Sequence, residues 1–388
     1  MRGGAFSCAF HDARRYGFLL LDIVLRGQSN AAYLAELDGG AALGTLAGQV
    51  EGLLGLDGVN DRVQVIYDRD EQGGETVYPA TAFLGEWVEK GAQGWASAEY
   101  QQGFLQEMQD YRASGMGDAT ALLWMHSEYD SRDPTLSAAD WAEAVRGDAG
   151  LVQATLGREV PYLFVAAHPY GDGTDTGHQA IRAAMEALSV DPSFNARIAA
   201  RAPDIDASLD DTDGNWSTTD DGGAHIAPID AQLIANRAAR VVAEQWAGYA
   251  KPGSVVASQQ GDIASDGPQV VVATRIAADA VQVDVRHDGT SGFAPISEGA
   301  AGGLGWSLHN ADGQVLAATD TAVLDADSLL VRFDSAVPEG AVLHYAYGIG
   351  RVAEPNGPGL GNAVMDPTWL PVWTPAQGVA VQDVVWGA

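Results

Sequence analysis

Gly17-Phe-Leu-Leu-Leu-Asp-Ile-Val-Leu25 runs directly into Arg26-Gly27-Gln28-Ser29-Asn30-Ala31. An apolar run of this length, closed by a glycine, reads as a buried strand that stops abruptly. Ser29 then stands at the strand's carboxyl end, where open α/β sheets place their sites. Gly27 lets the backbone turn, and a helix starting near Ala31 aims amide hydrogens back at the serine hydroxyl and at any oxyanion beside it. The same tetrapeptide also reads as a plain helix start, because Ser and Asn cap helices through their side-chain oxygens. The rest of the chain has to decide between nucleophile and cap.

Outward from this stretch, residues 62–67 alternate like a strand, and residues 121–125 and 160–167 are two further buried runs. Between them, residues 98–113, 137–156, 178–188 and 229–246 carry apolar side chains at helical spacing, with Ser137 placed to cap the second of these helices. Strands alternating with helices to about residue 250 predict a doubly wound, mostly parallel α/β sheet. Tyr249-Ala-Lys-Pro-Gly253 then breaks the last helix. Beyond it, residues 270–274, 280–286, 329–333 and 342–347 alternate or run apolar between Gly, Asp and Pro turns, as in a β-sandwich. The expected organisation is an α/β domain over residues 1–251 and a jelly-roll-like β-sandwich over residues 252–388.

The 388 residues include 52 Asp plus Glu against 21 Lys plus Arg, a formal net charge of -31. Such a surface repels nucleic acid and anionic membranes, so neither is expected as a partner, and a neutral substrate fits better. The single cysteine, Cys8, excludes an intrachain disulfide, and no 18-residue apolar span is present. The first strand cannot be removed as a signal peptide without losing the serine motif; the expectation is a cytoplasmic protein, or one whose export signal lies outside this chain. No cofactor is expected. The eight histidines are scattered, and His126-Ser-Glu-Tyr-Asp130 lacks the His-Glu-x-x-His spacing, so no metal is expected either.

Serine is a weak nucleophile at neutral pH and needs a base within about 2.6–3.2 Å, which in turn needs a carboxylate to fix its tautomer. Besides Ser29, the candidates are the cluster His126-Ser127-Glu128 after the second buried run and Asp220-Asp221-Gly-Gly-Ala-His225 before the domain's last helix. Serine, acid and histidine in this order make a workable hydrolase arrangement. The closing glycine of a Gly-x-Ser-x-Gly elbow is missing, which excludes an ordinary α/β-hydrolase. His168, in a turn-rich loop after the third run, is a further candidate, whereas Asp211-Thr-Asp-Gly-Asn215 lacks the ligand spacing of a calcium loop.

Gly27-Gln28-Ser29-Asn30 resembles the first block of the SGNH-type esterases, in the branch of sialate O-acetylesterases and family-six carbohydrate esterases. Leu123-Trp124-Met125-His126-Ser127-Glu128-Tyr129-Asp130 resembles that branch's Trp-x-Gln-Gly-Glu-x-Asp block, and His225 matches its terminal His block. The resemblance covers most of residues 17–248. The segment His344-Tyr-Ala-Tyr-Gly348, with Gly361-Asn362, Asp366 and Leu370-Pro371, resembles the β-domain ending of the same branch. It implies a three-layer α/β/α domain with a flavodoxin-like sheet, and a serine esterase that removes O-acetyl groups from a carbohydrate. Implied roles are Ser29 as nucleophile, His225 as base, Asp221 or Glu128 as acid, and Gln28, Asn30 and His126 around the oxyanion and substrate. Two departures stand out. His126-Ser127 replaces Gln-Gly, offering an imidazole N–H for an amide donor, and Gly222 replaces an Asp, leaving Asp221 as the nearest acid before His225. The alternatives are a carbohydrate-binding protein on the same scaffold, with Trp306, Trp369, Trp373 and Trp386 for sugar stacking, and a general short-acyl ester or lipid hydrolase.

Overall fold

The computed structural model describes residues 18–67, 77, 81–92, 94–167, 177–205, 225–346 and 363–383. The first part contains strands β1 (Leu20–Gly27), β2 (Arg62–Ile66), a hairpin β3 (Val88–Gly91) and β4 (Gly94–Ser97), then β5 (Ala119–Met125), β6 (Tyr162–Val165) and β7 (Ala196–Ala200). Its helices are α1 (Ser29–Glu36), α2 (Ala41–Leu54), α3 (Glu99–Ser114), the single turn α4 (Glu128–Ser131), α5 (Ala138–Leu156), α6 (Gly177–Val190) and α7 (Pro228–Gln245). The main sheet has the order β2-β1-β5-β6-β7 and every pairing in it is parallel.

All eight residues of β1 are buried, and they divide by the two-residue period of a strand. Leu21, Ile23 and Leu25 enter a core with Leu46 and Val50 of α2 and Ile234 and Val241 of α7. Leu20 and Val24 enter the opposite core with Phe104 of α3, Trp141 and Val152 of α5 and Met185 of α6. A strand buried on both faces has no polar alternation, which is why it reads as a continuous apolar run. The result is a three-layer α/β/α arrangement. Ser137 caps α5, its Oγ accepting the Asp140 N–H at 3.0 Å. Val256 and Ile263 complete the first core beyond the last long helix.

The C-terminal part is a closed seven-stranded barrel, which corrects the expected sandwich. Its strands are β8 (Gln269–Ala277), β9 (Ala280–Arg286), β10 (Trp306–His309), β11 (Val315–Val323), β12 (Ser328–Phe333), β13 (Val342–Tyr345) and β14 (Val379–Asp383). They close in the order β10-β11-β12-β9-β8-β14-β13. Closure depends on two strands. β10 pairs with both β11 and β13, and β14 inserts antiparallel to β13 and parallel to β8, so no edge is left open. Alternation within a strand reports which side is buried and is silent on such pairings.

The barrel packs on the α6 and β7 side of the sheet. Arg182 Nη2 donates to the Thr374 carbonyl at 3.0 Å, the Ala376 N–H donates to Glu186 Oε2 at 2.9 Å, and Arg240 Nη1 donates to the Ala264 carbonyl at 2.8 Å.

Candidate active site

Gly27 of β1 lies opposite Met125 of β5, so the segments that follow these strands emerge side by side. The chain leaves β1 toward β2 on one side and returns to β5 on the other. The β1/β5 crevice is therefore the sheet's topological switch point, where open α/β sheets bind ligands. The strands approach most closely at Gly27, where a Cβ would lie 2.1 Å from the Met125 carbonyl oxygen and 2.7 Å from Ala31 Cβ. This approach, and not a left-handed turn, demands the glycine, since its φ is not positive.

Gln28 N–H donates to the Met125 carbonyl at 3.3 Å, and the Gln28 carbonyl accepts the N–H groups of Ala31 and Ala32. Gln28 is thus the N-cap residue of α1 and Ser29 its first helical residue, so the serine side chain is not needed as a cap. Among the described residues Ser29 forms no side-chain hydrogen bond. Its N–H, at the positive end of α1, faces the same crevice end of the sheet.

Asn30 gathers the separate sequence blocks. Its Nδ2 donates to Glu128 Oε1 at 2.7 Å and its Oδ1 accepts the Ile226 N–H at 2.9 Å, partners 98 and 196 residues away along the chain. One fully buried amide beside Ser29 therefore holds both the carboxylate and the segment that carries His225. Glu128 is 2% exposed, and its second oxygen accepts the Ser127 N–H at 3.2 Å. Gln28 Oε1 accepts the Tyr129 N–H at 3.5 Å. The His225 ring stacks on Tyr33, one helical turn beyond Ser29, with centroids 4.2 Å apart and planes 19° from parallel.

Asn30 acts as a bridge, with one Nδ2 hydrogen bond to Glu128 and its Oδ1 engaged by the Ile226 N–H. His126 is fully buried among Phe83, Trp87 and Trp124, with Nε2 against the Thr81 carbonyl at 3.2 Å. Desolvation, with the nearby Arg26 charge, pushes its pKa down to about 3, so the imidazole is a neutral group in an aromatic setting. Asp221, His168 and the Asp211–Asn215 loop lie outside the described residues.

Beneath the serine turn is an ionic network that the sequence reading passed over. Arg26 is fully buried, and its Nη1 donates to both carboxylate oxygens of Asp148 at 2.7 Å while Nη2 donates to Gln101 Oε1 at 2.7 Å. The Tyr162 hydroxyl donates to Asp148 as well, and the guanidinium lies 4.3 Å from the Trp87 ring and 4.7 Å from that of Trp124. The available signal was periodicity: Asp148 falls on the same helix face as the buried Trp141, Val145 and Val152. Asp130, two residues after Glu128, accepts the N–H groups of Phe83 and Leu84 at 3.1 Å. Burial raises its pKa to about 7, against the lowering by those two hydrogen bonds. Among the described residues no three His, Cys, Asp or Glu side chains group as a metal site, and no helix is long and apolar enough to cross a membrane.

No sequence family and no curated protein sequence matches the chain. Among solved structures, a carbohydrate acetylesterase from Xanthomonas citri aligns with a TM-score of 0.54 at 12% identity, over 91% of this chain and 79% of that one. A member of the lipolytic protein G-D-S-L family from Veillonella parvula aligns at a TM-score of 0.32 and 9% identity, over 55% of this chain and 94% of that one. The first likeness is one of fold: a parallel α/β sheet followed by a β-domain.

Proposed function

We propose that the chain is a serine esterase that removes O-acetyl groups from a carbohydrate. The observation that supports this reading best is the Asn30 bridge, which joins Glu128 and the His225–Ile226 segment to the residue beside Ser29. A serine relieved of capping, at a switch point, next to a histidine segment and a buried carboxylate, is the constellation acyl transfer requires.

In this mechanism His225 takes the Ser29 hydroxyl proton as Oγ bonds to the acyl carbon. The carbonyl electron pair moves onto oxygen, and the Ser29 N–H donates a hydrogen bond to that oxyanion. Collapse expels the sugar oxygen, which leaves with the proton from His225. Water, deprotonated in turn by His225, attacks the acyl-enzyme and releases acetate, restoring Ser29. Glu128 or Asp221 holds the imidazolium. A neutral sugar ester as substrate agrees with a net charge of -31.

A second reading, a sugar-binding protein on the same scaffold, draws on the departures at His126-Ser127 and Gly222. Hydrolysis of 4-nitrophenyl acetate and acetate release from acetylated xylan separate the two. Ser29→Ala is expected to lower kcat by about a thousandfold or more, and whichever of Glu128→Gln and Asp221→Asn is more damaged identifies the acid. Equal inertness of wild type and Ser29→Ala on both substrates would sink the esterase reading.

A further inference from the structure

We propose that Tyr33 is a positioning residue for the base: its ring fixes the rotation of the His225 imidazole and keeps it above the helical turn that carries Ser29. The role rests on the esterase reading of Ser29 and His225. It supplies what the Asn30 bridge does not, a hold on the side chain of the base as well as on its backbone.

The backbone just after His225 is fixed by successive bonds. The Ile226 N–H donates to Asn30 Oδ1 at 2.9 Å, and the Ala227 N–H donates to Asp230 Oδ2 at 3.1 Å. Ile226 and Ala227 are each 1% exposed, and Pro228 then opens α7 with its φ set by its own ring. A segment held in this way still leaves the imidazole its rotations about χ1 and χ2. Those rotations decide where the ring nitrogens point, and a misplacement of about 1 Å between reacting groups costs about 100-fold in rate.

Tyr33 is placed to restrict them. It lies four residues after Ser29 and three after Asn30 on α1, hence on the same helix face and about 6 Å further along the axis than Ser29. Helical side chains lean toward the helix N-terminus, so the surface that Tyr33 covers lies over the turn of Ser29 and Asn30. The neighbouring Leu34 is fully buried in the first core, whereas Tyr33 is half-buried at the margin of that core and carries the imidazole there. With 4.2 Å between centroids and 19° between planes, the contact takes up a face of the imidazole and none of its edge, where the nitrogens exchange protons. The electron-rich face of the phenol ring also meets the imidazolium that forms as Ser29 is deprotonated. Helix α1 therefore grips the base at two points, the backbone through Asn30 and the ring through Tyr33, while its first turn presents the nucleophile.

The test combines kinetics with magnetic resonance on the full chain. Tyr33→Leu removes the ring and keeps an apolar side chain of high helix propensity, whereas Tyr33→Phe keeps the ring and removes only the hydroxyl. On 4-nitrophenyl acetate Tyr33→Leu is expected to lower kcat about tenfold with KM within about twofold of wild type, because the ring acts on the base and not on the ester. Tyr33→Phe should restore kcat to within about threefold of wild type. In histidine-labelled protein the His225 ring protons, identified by their loss in His225→Gln, lie over the phenol ring and are shifted upfield by its ring current. That shift should persist in Tyr33→Phe and disappear in Tyr33→Leu. Unchanged kcat in Tyr33→Leu, a fall confined to KM, an equal loss in the two Tyr33 variants, or a His225 signal that Tyr33→Leu leaves in place overturns the proposal. A wild type as inert as Ser29→Ala sinks the esterase reading instead, and the resonance shift then decides by itself whether Tyr33 holds the imidazole.

Discussion

Asn30 shows how much of a site can rest on one amide whose importance is invisible locally. Its two partners lie on different segments, and removing it breaks the bonds to Glu128 Oε1 and to the Ile226 N–H at once. Asn30→Ala is expected to lower kcat on 4-nitrophenyl acetate by about 100-fold, the effect of a small misplacement of reacting groups, with Ser29 intact. Asp130 carries a second consequence. Its carboxyl titrates near 3.8 when unfolded and about 7 when folded. The folded state keeps this proton where the unfolded chain has lost it, so the stability it contributes is complete below 3.8 and is lost as pH rises to about 7. Thermal midpoints measured across that window should fall more steeply for wild type than for Asp130→Asn; parallel profiles would contradict the assignment. At this scale the sequence offers Ser29, Glu128 and His225 as candidates in order along the chain. It did not disclose the bridge, because nothing in Gly27-Gln-Ser-Asn30 reports a partner 196 residues away. Nor did it disclose that His126 is core, since that depends on Phe83 and Trp87 arriving from another segment.

Elements were legible where a single physical signal dominated. β1, β5 and β6 are continuous apolar runs because both of their faces are covered, and α5, α6 and α7 follow helical spacing. β7 escaped notice because Ala196-Arg-Ile-Ala-Ala200 is short, alanine-rich and interrupted by an arginine. β11 escaped for a related reason: only Thr321 along it is fully buried, so its pattern is that of an exposed ribbon. The bond between elements that matters most for the serine turn is Arg26–Asp148, which ties β1 to α5 in a fully buried aromatic setting. Asp148→Asn leaves the buried guanidinium without its counter-charge and is expected to cost about 3–5 kcal/mol, read from urea unfolding. A loss below about 1 kcal/mol would show that the aromatic rings alone carry the cation.

For the molecule as a whole, a net charge of -31 is the largest unfavourable electrostatic feature. Self-repulsion of this kind is relieved by counter-ions, so the thermal midpoint is expected to rise when sodium chloride is taken from 0.02 M, roughly, to about 1 M, where the screening length falls to about 3 Å. A flat or falling midpoint would mean that attractive pairs such as Arg237–Asp204 and Arg197–Glu244 outweigh the net field. The division of the chain into an α/β region and a β region was readable from the change in periodicity after the last helix, but barrel closure was not, because it turns on β14. That strand pairs Val381 with Ala273 of β8, the first of the barrel's strands. Vectorial synthesis therefore delivers β8 long before the strand that seals it. For that interval the nascent chain exposes an unpaired β-edge beside a finished α/β layer, a contact order that slows closure and favours pairing with a neighbouring chain. With 52 acidic against 21 basic residues, like-charge repulsion between two such chains opposes that pairing.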